Sequence, residues 1–362
     1  MNLNDICKQL QFSGELKSYE VITAGNINTT YKVTTELNGE VFEYLLQRIN
    51  KNVFKNPEQI MRNISRVNEY LSSNMSGSDF VVLPFNKTIN GEPFVLDETG
   101  DFWRARTFLD CVCFNFTDNL QVVEEAGRAF GEFLYMLSGF DAKTLFIPIK
   151  NFHNTKKRIE GLERTIKYSV GARIKECTSE IDYILANKKL GVTLVNMLEN
   201  GELPLHVTHN DTKCNNVIFD KNTLKALSVI DLDTIMPGLT AYDFGDGARS
   251  ICCTTEEDEQ DLSKVNFDLQ RFERFAKGYF THLKNTITEN ERNTFALSVY
   301  VLTLELATRF LHDYLNGDTY FRISYKNQNL MRARCQIALC KDIYKKLDKI
   351  DEIVKNYTVK DI

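Results

Sequence analysis

The stretch 205-LHVTHNDTKCNNVIFDKNTLKALSVIDLDT-234 fences a dense polar cluster with short apolar runs, inside a half of the chain whose other patterns are helical. Val207, residues 217–219 and residues 227–232 read as short β-strands, so the segment is predicted as strand, polar loop, strand, turn, strand. A helical bundle cannot absorb such an island. The fold must bring Asp211, Lys213 and Asn216 of the loop, and Asp231 from the next strand, toward one point, because they lie at neighbouring strand ends.

The rest of the chain divides around residue 110. From Tyr19 to Asn50, YEVIT, TYKVT and VFEYLLQRI are rich in β-branched and aromatic residues, and Asn38-Gly39 between two of these runs predicts a tight hairpin. Residues 56–73 follow as a helix that Pro57 opens and whose apolar stripe is Ile60, Ile64, Val67 and Leu71. FVVLPF, PFVLD and FWRARTFLD read as further strands. Beyond Asp110 the periodicity becomes helical at 120–140, 155–171, 176–199, 266–287, 289–316 and toward the end. The expectation is an α+β fold of two lobes: 1–109, a small antiparallel sheet with one helix, and 110–362, mainly helical with the polar loop. A length of 362 residues favours two lobes over one compact core.

Bulk chemistry removes several function classes. The net charge of −5, with no Lys/Arg-rich block, leaves no electrostatic footprint for nucleic acid. The nine cysteines are irregularly spaced and the N-terminal residues lack a signal-peptide pattern, so a reduced, cytoplasmic location is expected. Apolar runs such as FVVL are too short to span a bilayer. No obligate protein partner is evident.

For the polar loop three chemistries compete. Zinc would use His206, His209 and Cys214, but the spacing offers only H-x2-H and no CxxC pair. A nucleophilic hydrolase would need an elbow of the G-x-S-x-G kind, which is absent, and Cys214 has no dedicated base. Phosphoryl transfer uses the residues better. Asp211 can orient and deprotonate an acceptor hydroxyl, Asn216 and Asp231 supply hard oxygen ligands for Mg²⁺, and Lys213 can meet the γ-phosphate of ATP.

At this point HNDTKCNN…VIDLDT…AYDFGD resembles the aminoglycoside phosphotransferase and choline kinase-like family. That resemblance implies a bilobal protein-kinase-like fold with ATP and Mg²⁺ in the cleft. It implies Asp211 as general base, Asn216 and Asp231 as metal ligands and Lys213 as a phosphate contact. His209 would be structural and Asp243 would brace the loop, although Asp233 and Asp243 read equally well as turn or cap residues. Longer strings, GNINTTYKVT, QRINKNVF and ELATRFLHDYLNGDTYFR, resemble the branch that phosphorylates the anomeric hydroxyl of N-acetylhexosamines. On that resemblance Arg309 and Tyr320, with Asp211, contact the sugar; without it, Glu305, Arg309 and His312 pass as an exposed charged helix face.

The nucleotide contacts are expected elsewhere. Gly25, Asn26, Asn28 and Thr30 lie in a loop between two strands that can cover phosphates, though alone it reads as a β-turn. The third strand offers Gln47 and Arg48 on opposite faces where such kinases carry a basic residue; Arg48 is taken as the cation, with Glu58, Asn63 or Glu69 as helix partner. The hinge falls at 107–110, so Phe108 and Asp110 are expected at the base. Two rivals remain: a kinase for choline, an aminoglycoside or another amino-alcohol, which the acidic run 256–261 would suit, and a nucleotide-binding regulator without catalysis.

Overall fold

The computed structural model describes residues 3–22, 28–51, 54, 56–74, 79–168 and 171–359. The first third carries a five-stranded antiparallel sheet in the order β1-β2-β3-β5-β4, with β1 Glu15–Ile22, β2 Thr29–Leu37, β3 Glu40–Arg48, β4 Val95–Leu96 and β5 Phe102–Thr107. Asn38-Gly39 makes the expected two-residue hairpin. Leu37 faces Glu40 across the ladder, and the two turn residues take φ of +52° and +84°.

Alternation then sorts the sheet into two faces. Tyr44, Leu46 and Arg48 stand opposite Thr107, Ala105 and Trp103 on the outer face. Leu45 and Gln47 stand opposite Arg106 and Arg104 and line a cleft. The outer face is covered by helix α1 (Leu3–Gln9), whose Ile6 and Cys7 join Val33, Leu46, Trp103 and Ala105 in a small core of their own. Helix α2 (Pro57–Asn74) buries the stripe Ile60, Ile64, Val67 and Leu71 against the main core.

FVVLPF is not a strand. Pro84 has no N–H to give a ladder, and the segment runs extended between two neighbours. Val81 donates to Leu227 O at 2.7 Å and Asn86 to Ala105 O at 2.6 Å, which ties the sheet to the polar island.

The island forms as expected: β6 (His206–Thr208) pairs with β9 (Met236–Gly238), and β7 (Val217–Phe219) with β8 (Ala226–Val229). Around it lie α3 (Leu120–Met136), α4 (Thr155–Tyr168), the short helices α5 (Ala172–Glu176), α6 (Thr178–Ala186), α7 (Lys188–Gly191) and α8 (Thr193–Glu199), then α9 (Thr240–Ile251), α10 (Leu269–Leu283), α11 (Glu289–Arg292), α12 (Phe295–Leu315) and α13 (Gln328–Thr358). The pattern at 176–199 is thus broken into short helices. At Asn187, one of the breaks, the side-chain amide bonds the Tyr183 carbonyl and competes with the helix. The pattern at 289–316 splits at Asn293–Thr294, where the Thr294 hydroxyl donates to the Glu291 carbonyl at 2.7 Å and competes with the helix.

Helix α12 is long and apolar enough to cross a membrane, which corrects the expectation drawn from unbroken apolar runs. Here it is the central core helix, 83% buried over its most apolar window. Helices α3 and α10 approach backbone to backbone, because a Cβ on Gly131 would lie 2.0 Å from Tyr279 O and one on Gly278 2.0 Å from Glu124 O. Gly131→Ala is expected to destabilise the protein by about 1–3 kcal/mol, the usual cost of overpacking. Urea unfolding within about 0.5 kcal/mol of the parent would contradict so close a contact.

Candidate active site

The loop 209–216 is built by polar accounting. Two of its backbone N–H groups, His209 and Asn210, donate to the two oxygens of Asp243 at 2.8 and 2.7 Å, and Thr212 N donates to Asp246 at 3.0 Å. Both aspartates are buried at one end of α9 or one turn further along it. Burial pushes the Asp243 carboxyl up to about 6 despite those donors, whereas the charge of Arg249 holds Asp246 below its ordinary range against burial. The His209 ring accepts from Asp211 N at 3.3 Å and donates through Nε2 to Ile230 O at 2.8 Å, so both nitrogens are spent on backbone. His206 meets Glu291 at 2.9 Å, and burial lifts the Cys214 thiol to about 12. The two histidines and the cysteine are therefore structural, and Asp243 braces the loop as the resemblance implied.

What this frame presents is Asp211, part-exposed, with Lys213 Nζ at 3.2 Å. The Asp211 charge raises the lysine above its ordinary value and keeps it cationic. Asn216 donates through Nδ2 to the Asp211 carbonyl at 2.8 Å and to its carboxylate at 3.1 Å, which turns the amide oxygen elsewhere. Asp231 sits at φ +62° and ψ +52°, a left-handed conformation an aspartate tolerates at modest cost. Its carboxyl is pushed up to about 6, first by desolvation and then by the charges of Asp233 and Asp211, although its surface remains open to the cleft.

The cation that joins sheet to island comes from β5. Arg104 and Asp233 form a two-pronged ion pair, with the Nη2–Oδ2 distance 3.0 Å and side chains only 2% and 3% exposed. Arg104 Nε donates to Gln47 at 3.0 Å, its guanidinium lies 4.7 Å from the Phe85 ring, and Asn28 adds a second donor to Asp233 at 2.9 Å. This corrects the third-strand reading. Arg48 lies on the outer face, 3.6 Å from Asp101 and over Trp103, and does not reach the cleft. Nor does a helix partner exist as expected: Glu58 pairs with Arg62, Glu69 with Lys87, and Asn63 bonds the carbonyls of Phe146 and Ile235.

The cleft has a volume of about 430 Å³. Asn28, Thr30, Phe108, Asp211, Lys213, Asn216 and Asp231 all line it. Gly25 and Asn26 lie outside the described residues. Asp110 turns outward to Lys221 and does not line the cleft, and the Phe108 N–H is spent on Glu43 O at 2.9 Å. Arg106, two residues after Arg104 on the same face, was missed: it lines the cleft and makes no ion pair among the described residues. The alternation of FWRARTFLD carried that signal, since it sets both arginines on one face.

Arg309 and Tyr320 lie outside this cavity but together, with the guanidinium 6.0 Å from the Tyr320 ring, 5.4 Å from Phe321 and 5.1 Å from Phe152. Their link to the loop is His153, which bridges Glu305, one turn before Arg309, to the Asn210 carbonyl.

A family model described as the phosphotransferase enzyme family matches residues 18–277. The chain belongs to that family. Among solved structures, an aminopropanol kinase associated with a microcompartment superposes with a TM-score of 0.63 at 16% identity, covering 96% of this chain and 97% of its own. An aminoglycoside phosphotransferase from Alicyclobacillus acidocaldarius gives 0.62 at 12% identity, with 98% and 97% covered. A choline kinase from Cryptosporidium parvum gives 0.57 at 12% identity, with 96% of each chain covered. The architecture is the kinase-like one, a sheet-based N-terminal lobe on a helical C-terminal region.

For a phosphotransferase the donor set near Asp211 suits a hard cation. Asp231 and the Asn216 amide oxygen are hard oxygen donors, and the carboxylate repulsion that adds to burial in raising Asp231 is what a divalent ion would relieve. Among the described residues no group of three His, Cys, Asp or Glu forms a cage, so such an ion would share its shell with phosphates and water. Removal of Arg104 by Arg104→Ala leaves the Asp233 charge buried and is expected to cost about 3–5 kcal/mol. A loss below about 1 kcal/mol on chemical denaturation would show that the pair does not hold the two lobes.

Proposed function

We propose that the protein is an ATP-dependent kinase of the anomeric hydroxyl of N-acetylhexosamines, an N-acetylhexosamine 1-kinase, acting in the cytoplasm. The carrying observation is Asp211: a part-exposed carboxylate lining the cleft, with the Lys213 cation and the Asn216 amide on it and the Asp231 carboxylate in the same lining. In this reading ATP lies against Asn28, Thr30, Gln47 and Arg106, and Lys213 meets the γ-phosphate. Asn216 and Asp231 hold Mg²⁺, which when bound neutralises charge on the phosphates. Asp211 aligns the sugar 1-hydroxyl and takes its proton; a hemiacetal hydroxyl is more acidic than an ordinary alcohol, which lightens that task. The remaining acceleration comes from positioning and electrostatics.

The acceptor side supports a neutral sugar over a cation. Arg309, stacked among Phe152, Tyr320 and Phe321, makes no ion pair among the described residues. It would repel choline, an aminopropanol or an aminoglycoside, the compounds for which the solved relatives are named. Part of the acidic run is already engaged: Glu257 pairs with Arg249 at 3.7 Å, Asp258 accepts from Tyr325 and Gln328, and Asp261 caps Ser263. Arg309 can donate to ring hydroxyls or the acetamide carbonyl, and Tyr320 offers a ring face to sugar C–H groups.

ADP release measured over a panel of N-acetylglucosamine, N-acetylgalactosamine, choline and an aminoglycoside tests this. Turnover is expected with the sugars and to fall by about 10²–10⁴-fold in Asp211→Asn while nucleotide still binds. Arg309→Ala is expected to raise the sugar KM about 10- to 100-fold, the worth of a charged hydrogen bond. Turnover with choline or the aminoglycoside alone overturns the sugar assignment; nucleotide binding without transfer to any acceptor makes the chain a regulator.

A further inference from the structure

The imidazole of His153 occupies a position that the reaction above does not use. It is 7% exposed, in the turn before α4, with its ring between Phe152 and Tyr242 at 4.6 and 5.2 Å. Nε2 lies 3.0 Å from the Asn210 carbonyl oxygen, and Nδ1 lies 3.1 Å from Glu305 Oε1. The other oxygen of Glu305 accepts from Thr155 Oγ1 at 3.1 Å. A carbonyl only accepts, so Nε2 must carry a proton. An ionised carboxylate also only accepts, so Nδ1 must carry one as well.

We propose that His153 is held doubly protonated at neutral pH and is a positioning residue, clamping the loop that carries Asp211 to the helix that carries Arg309. The surroundings agree on the charge state. Burial alone would lower the imidazole below its ordinary value, but the Glu305 charge and hydrogen bond, with Asp246 behind them, raise it; Arg309 opposes. Glu305 is itself kept ionised against burial by His153, Arg309 and Arg158. Asp243, on the same helix as Asp246, also faces the ring. Thus the Asn210–Asp211 main chain is gripped from both sides: Asp243 takes the amides of His209 and Asn210, and His153 takes the Asn210 carbonyl. The inference rests on Asp211 being the reacting carboxylate.

The sign follows from the raised value. The clamp is complete below the imidazole's ordinary titration range and is lost as pH rises through the higher folded value, where Nδ1 turns a lone pair toward the carboxylate. Glu305→Gln separates the roles. A glutamine can donate to Nδ1, so a neutral ring with its proton on Nε2 satisfies both neighbours.

Nitrogen NMR of histidine-labelled protein, with the His153 signals assigned by their loss in His153→Gln, reads the protons without any acceptor. Two protonated nitrogens on His153 at pH 7 are expected, and one in Glu305→Gln. In turnover, the alkaline fall in kcat should disappear in Glu305→Gln, while His153→Gln should lower kcat about tenfold or more with a smaller change in KM. A single proton on His153 at pH 7, or an alkaline limb unchanged in Glu305→Gln, overturns the proposal. A different acceptor would change the sugar assignment and leave the NMR result as it stands.

Discussion

A buried arginine–aspartate pair, Arg104–Asp233, sets the relation between the sheet and the island that carries the polar loop. Taking two charges out of water is costly, and a lone pair at this depth would barely break even. Here the fork-like geometry, the Gln47 oxygen, the Phe85 face and the Asn28 amide give both charges further partners. The consequence reaches both walls of the cleft. Asp233 follows Asp231 by two residues, so anchoring one fixes the turn that presents the other. Asn28 borders the loop expected over the phosphates, and its own oxygen accepts from Asn50 N at 3.0 Å. The sheet, the strand–loop junction and the Asp231 turn are therefore tied to one another by these bonds.

Several carboxylates gather within this small region, and environment divides their labour. Asp243 and Asp246 are enclosed by the loop's amides and by Arg249, and serve as backbone acceptors. Asp233 is matched by Arg104. Asp211 and Asp231 keep open surface toward the cleft, and among the described residues Lys213 is the ion-pair partner of Asp211. With Arg104 matched to Asp233 and Lys213 to Asp211, Asp231 and Arg106 line the cleft without an ion pair among the described residues. One unmatched carboxylate and one unmatched guanidinium cost stability when the cleft holds only water and become useful when a cation and phosphates enter.

Much of this was local enough to read from the sequence. The Asn38-Gly39 hairpin, the α2 stripe and the strand–loop–strand island each depend on neighbours a few residues apart. So does the grouping of Asp211, Lys213 and Asn216, and Asp231 comes from the adjacent strand. Arg48 failed on parity. Tyr44 and Leu46 mark the face packed under α1, and Arg48 shares their alternation, so the apolar pattern already placed it outside. Asp110 failed because a position at a strand end does not reveal which way a side chain turns. Arg104–Asp233 spans 129 residues and His153–Glu305 spans 152. No spacing rule connects groups so distant; only the packed sheet and α12 bring them together.

In the proposed reaction the position of the new phosphate depends on where Asp211, the cleft and the Arg309–Tyr320 cluster stand relative to one another. Phosphorus NMR of the product formed from ATP and N-acetylglucosamine or N-acetylgalactosamine measures it directly. A sugar phosphate signal split by the single anomeric proton is the predicted result. A signal coupled to the two protons of C6, or no phosphorylated sugar at all, would contradict it.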